Sequence, residues 1–114
     1  MGDLRRNFSS WEFRCSCGRY RRPTDELLDI LQRLRDIVGK PLTIVSGYRC
    51  PTDNRRVGGH WRSRHLVAGA ADIPGGYATI DQAKAAGAHS IGIRRGRVIH
   101  VDDWPGRRGL VFDD

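Results

Sequence analysis

Three residues in this 114-residue chain have the chemistry and separation of metal ligands: His65, Asp72 and His100. Imidazole nitrogens and carboxylate oxygens bind zinc at about 2.0–2.2 Å. On a single helix, residues 65 and 72 would stand about 10 Å apart along the axis. A shared ion therefore requires the chain to fold back between them. Ala68-Gly69-Ala70-Ala71 suits that bend through its small side chains and its permissive glycine. Asp72 then falls in a strand, Ala70 to Ile73, with His65 on the loop leading to it. The second histidine lies in another predicted strand, within His100-Val101-Asp102. Three protein ligands leave a fourth position for water, which is the arrangement of catalytic zinc; structural sites are closed by four. A histidine and an aspartate at this spacing are a weak signal alone, so the surrounding chain decides.

The elements that must hold these groups are legible from periodicity and capping. Asn7 to Phe13 reads as one helical turn, with Ser9 and Glu12 at capping-box spacing. Thr24 caps a helix from Asp25 to about Val38, which stops at Gly39. Leu27, Leu31, Leu34 and Val38, flanked by Ile30 and Ile37, form its buried stripe. Pro41 to Ser46 reads as a strand, followed by a short helical segment ending at Val57. Pro74-Gly75-Gly76 breaks the chain, and Thr79 with Gln82 opens another helix that ends at Gly87. Ser90–Arg94 and Arg97–Asp102 form a hairpin turning at Arg95-Gly96. Helices and strands mix without regular alternation, so the expected class is α+β, a small central antiparallel sheet with helices packed against it.

Length allows one domain, 1–114, with residues 1–6 and 105–114 expected as peripheral tails. No apolar run is long enough to cross a bilayer. The first residues lack the apolar stretch of a secretion signal, so synthesis in the cytoplasm without a signal peptide is expected. The formal charge of +7 favours polyanionic partners. The arginines are dispersed as pairs such as Arg21-Arg22 and Arg55-Arg56, and form no nucleic-acid motif. Cys15, Cys17 and Cys50 are odd in number and expected to be reduced. They read as small buried hydrophobes ahead of a cluster holding a structural metal.

Asn7-Phe8-Ser9, Glu12-Phe13, Cys17-Gly18, Ser46-Gly47-Tyr48-Arg49-Cys50-Pro51, Val57-Gly58-Gly59, Ser63, His65-Leu66, Asp72-Ile73 and His100-Val101-Asp102 occur in an order that resembles the zinc D-alanyl-D-alanine carboxypeptidases. The wider group includes phage L-alanyl-D-glutamate endopeptidases, vancomycin-resistance D,D-dipeptidases and the hedgehog signalling domain. The likeness spans roughly residues 7 to 103 and is greatest to short, phage-type members. It implies a monomeric zinc peptidase that cuts peptidoglycan stem peptides at the bacterial cell wall, as a phage lysin or a virion-associated part, with no membrane insertion and no specific nucleic acid. It matches His65, Asp72 and His100 to the zinc ligands. Arg49 matches an arginine that binds a substrate carboxylate or polarises the scissile carbonyl. His60 and Ser63 lie beside His65, where they would contact substrate.

Two departures stand out. Several relatives carry an acid three residues before the last histidine, where this chain has Arg97. Asp102 shares a strand face with His100 and is expected as the general base, ahead of a supporting role beside that ligand. Ala68 stands where relatives usually have glycine, so Gly69 is expected to make the turn. Arg97 also raises a rival reading, a cell-wall-binding module that keeps zinc and has little or no catalysis.

Overall fold

The structure is a computed structural model that describes residues 2–74 and 77–113. Its scaffold is helix α1, Asp25–Val38. The Thr24 hydroxyl accepts the Leu27 N–H at 3.1 Å, satisfying one donor that a helix start leaves open. Asp25 and Glu26 occupy the first turn, where the helix dipole favours negative charge. Leu27, Leu28, Ile30, Leu31 and Leu34 are buried along one face. Leu28 joins the expected stripe, whereas Ile37 at the far end stays exposed. Removing such a leucine side chain costs about 2–5 kcal/mol, so Leu31→Ala should lower stability by that amount in urea denaturation.

Four strands, β1 (Ala70–Asp72), β2 (Ser90–Arg94), β3 (Arg97–Asp102) and β4 (Leu110–Asp113), lie in the order β1-β3-β2-β4. β2 and β3 form the expected hairpin. Arg95 (φ 53°) and Gly96 (φ 76°) are both left-handed at its tip, as the tightest hairpin turns require. β1 pairs antiparallel with β3. Ile91, Val98 and Val101 pack with the α1 leucines and with Ala83 of helix α3 (Ile80–Ala85) in one core. The Thr79–Gln82 capping box opens α3 through paired hydrogen bonds of 3.0 and 3.1 Å.

The α+β class stands, with a correction to the sheet: β4 runs parallel to β2, so the sheet is mixed. β3 ends with Asp102 opposite Ser90. The short connection through residues 103–109 does not cross the sheet, so β4 starts beside Ser90 and runs the same way as β2. The ends are therefore not peripheral tails. Residues 110–113 form an edge strand. At the other end, Leu4 packs against the core and Arg5 bridges Asp25 and Asp29 on α1.

The strand expected over residues 41–46 reduces to a single bridge between Ser46 and Asp72. Val45 donates its N–H to Asp72 O at 2.9 Å, and Asp72 donates to Ser46 O at 2.8 Å. Pro41 has no N–H to extend the ladder, and Val45 is 65% exposed. Gly75 and Gly76, in the expected chain break, lie outside the described residues. No helix among the described residues is long and apolar enough to cross a membrane.

Candidate metal centre

Strand register brings two of the expected ligands together. Asp72 on β1 is the direct cross-strand partner of His100 on β3, and such partners project from the same face. Gly92 on β2 lies on the other side of His100. A Cβ there would stand 2.8 Å from His100 Cβ and 3.0 Å from Phe112 Cζ, so only glycine leaves room for both rings.

His65 arrives on a 3-10 turn, Arg64–Val67. Ser63 Oγ accepts the His65 N–H at 3.2 Å, fixing the start of the turn. The fold-back then occurs at Ala68, at φ 59° and ψ 32°, and not at Gly69 as expected. A left-handed non-glycine residue costs roughly 1–2 kcal/mol. Gly69 serves a steric purpose instead, because a Cβ there would stand 2.3 Å from Asp103 Oδ1.

The outcome is convergence. Asp72 Oδ1 lies 3.0 Å from His100 Nδ1 and 3.3 Å from His65 Nε2. One donor atom from each of the three residues lies within 4.8 Å of the others. Both histidines are buried.

Their hydrogen bonds show that the set fits a cation. His65 Nδ1 is 2.7 Å from Gly47 O, so Nδ1 carries the proton, and in the neutral ring Nε2 turns a lone pair toward Asp72. His100 has a carboxylate at each ring nitrogen, Asp102 Oδ2 at Nε2 (2.9 Å) and Asp72 Oδ1 at Nδ1 (3.0 Å). Neutral imidazole satisfies only one of them. A metal ion among His65 Nε2, Asp72 Oδ1 and His100 Nδ1 would take the Nδ1 lone pair and leave the Nε2 proton for Asp102.

Electrostatics agree. Burial works against charge on His100, but Asp102 and Asp72 outweigh it and push the imidazole up to about 9. Burial likewise opposes ionisation of Asp72, yet the two imidazoles hold it well below the usual carboxylate range. A metal ion entering at Nδ1 must displace a proton that the metal-free protein keeps until pH rises through about 9. Zinc affinity should therefore climb about tenfold per pH unit up to that point and flatten above it. Calorimetry in buffers of different ionisation enthalpy should register the released proton. An affinity unchanged between pH 6.5 and 9 would show that Nδ1 is not the entry point.

Asp102 does not have the geometry of the expected general base. Its Oδ1 accepts the N–H groups of Ser90 (3.1 Å) and Trp104 (2.9 Å), while Oδ2 faces His100 Nε2. The imidazole ring thus stands between this carboxylate and the donor cluster. Asp102 instead fixes the ring and its tautomer. In Asp102→Asn the amide oxygen would take the two backbone donors and turn its NH₂ toward Nε2. The ring proton would then move to Nδ1, against the metal. Zinc affinity should drop about 10–100-fold, measurable by competition with a chromogenic chelator.

The donors line an open groove of about 770 Å³ that also holds Arg49, His60 and Ser63. Arg49 donates from Nη2 to Ser63 Oγ across a long 3.5 Å, and its buried Nε has no partner among the described residues. His60 is exposed and stacks on Trp61, with ring centroids 5.9 Å apart. Sequence reasoning missed Trp104, Phe112 and Arg107 in the groove wall. All three lie at or beyond the end of β3, in a segment with no recognisable spacing.

Fold and site together define a class: a small α+β protein with a His-Asp-His cluster that could hold a cation, opening on a groove. The family model described as Peptidase M15 matches residues 6–102, and the chain belongs to that family of peptidases. The matched span contains all three donors and bears out the resemblance drawn from the motifs. No curated protein matches the chain.

Proposed function

We propose that the protein is a zinc-dependent peptidase that hydrolyses a peptide bond of peptidoglycan stem peptides, acting as a monomer at the bacterial cell wall. The convergence of His65 Nε2, Asp72 Oδ1 and His100 Nδ1 carries this reading. Zinc held by these groups would supply Lewis-acid polarisation of a carbonyl and acidification of water toward neutral pH. The chain's own residues bind and orient the peptide. The Arg49 guanidinium lines the groove and is a donor for a substrate carboxylate or a developing oxyanion. His60 Nδ1 accepts the Arg62 N–H at 2.9 Å, so the neutral ring keeps its proton on Nε2 and acts as a donor, not a base. Arg49, Arg62 and Arg107 line the groove, where the carboxylates are Asp72 and Asp102. That balance suits an acidic peptide, and the +7 charge suits an anionic polymer.

One observation favours a second reading, a module that binds zinc and cell wall with little catalysis. Among the described residues, no groove carboxylate is free of these engagements, and Arg97 is exposed at the start of β3. Incubation with purified stem peptides, with chelator and then with added Zn²⁺, separates the two. Cleavage that chelation abolishes and zinc restores supports the peptidase. Zinc occupancy without turnover supports the module.

A further inference from the structure

Around Cys50, the residue after Arg49 in the chain, four side chains that the mechanism does not use gather at one point. Cys15, Cys17, Cys50 and Asp53 each offer a ligand atom within 4.8 Å of the other three. We propose that this cluster is a second metal site, closed and structural, that takes zinc or a similar thiophilic divalent cation. It is independent of the His-Asp-His reading.

Sequence and local structure build it from two pieces. Cys15-Ser16-Cys17-Gly18 is a tight turn in which Gly18 N–H returns to Cys15 O at 2.8 Å. Gly18 sits at φ 92°, a conformation open to glycine alone. The second piece is the start of helix α2, Pro51–Arg56, with Cys50 as its cap and Asp53 one turn in. The ligand pattern is therefore C-x-C with C-x-x-D, three sulfurs and one oxygen. Four ligands with no open position mark a structural zinc site.

Distances fit. Zinc–sulfur bonds of about 2.3 Å in a tetrahedron place the sulfurs about 3.8 Å apart, and Cys17 Sγ lies 3.6 Å from Cys50 Sγ. Cys15 Sγ donates to Asp53 Oδ2 at 2.9 Å, a proton that a metal would displace. Backbone amides already point at the sulfurs, with Cys50 N–H on Cys15 Sγ (3.4 Å) and Asp53 N–H on Cys50 Sγ (3.5 Å). Such donors stabilise thiolates. Binding would replace the three thiol protons and leave the site with excess negative charge. Arg56 stands ready to offset it, 2.9 Å from Asp53 Oδ1. Cys17 is exposed while Cys15 and Cys50 are buried, so the bland reading of all three as buried hydrophobes does not hold. The metal would fasten the Cys15–Pro23 loop to α2, next to Arg49.

The test uses Co²⁺ as probe on the reduced full chain. In His65→Ala, where the groove site is disabled, Co²⁺ should still produce a near-ultraviolet thiolate-to-metal band. Adding Cys17→Ser, a change at an exposed position, should weaken Co²⁺ binding at this cluster by more than about tenfold, the low end of what even an outer partner of a metal ligand is worth. In the unaltered protein, Zn²⁺ should protect Cys17 from alkylation. Absence of the thiolate band, alkylation of Cys17 at the same rate with and without Zn²⁺, or isolation of the chain with Cys17 and Cys50 cross-linked would each overturn the proposal.

Discussion

Asp72→Ala should abolish zinc uptake at the groove and all hydrolysis that depends on it. Asp72 Oδ1 is the one atom that both imidazoles approach, at 3.0 and 3.3 Å. It is also the only anionic member of the three. Without it, two imidazoles would face a divalent cation with no charge to neutralise it and too few ligands to close the site. The loss should exceed the 10–100-fold that an outer partner is worth, and metal analysis after dialysis should show the groove site bare. The metal-free protein offers an independent readout. Losing Asp72 removes one of the two carboxylates that raise His100, so its titration, followed by NMR, should move down from about 9. A variant that retained zinc and turnover would place the chemistry elsewhere.

How much of this was legible beforehand follows from what each signal encodes. The separation of 65 and 72 excluded a shared helix as the frame of a common ion, and the strand patterns put Asp72 and His100 on the strands where the structure has them. Strand parity also put Asp102 on the side of His100. Parity names a face but not which edge of a ring a neighbour will meet, and that edge separates a base from a buried support. The fold-back was expected at Gly69 because glycine tolerates left-handed backbone. In the structure Ala68 adopts it, and the glycine is required by the approach of Asp103. β4 lay beyond reach because its partner was β2, a pairing that local pattern does not reveal. Cys15, Cys17 and Cys50 were visible as residues. Nothing in the sequence ties Asp53 to them, because it lies in the first turn of a separate helix and meets Cys15 only in the folded chain.

Asp103→Ala should cost about 1.5–3 kcal/mol of stability, the usual worth of hydrogen bonds to a buried charged group, and the unfolding midpoint should drop by about 5–15 °C. Asp103 is 4% exposed and joins three parts of the chain. Its Oδ1 accepts Arg64 Nε at 2.8 Å, its Oδ2 accepts the Thr24 hydroxyl at 2.6 Å, and its N–H donates to Gly69 O at 2.9 Å. Thr24 caps α1, Arg64 opens the turn that carries His65, and Gly69 precedes the strand that carries Asp72. This junction holds the loop between His65 and Asp72 in the shape that lets the two side chains meet. Gly69→Ala should injure the same junction by steric means, since its Cβ would stand 2.3 Å from Asp103 Oδ1. If the shared cause is right, the two losses will not add. In the Asp103→Ala background the carboxylate is already gone, so Gly69→Ala should cost markedly less than in the parent. A double-mutant cycle reads that coupling directly, and full additivity would show that Gly69 is needed for some reason other than room for Asp103.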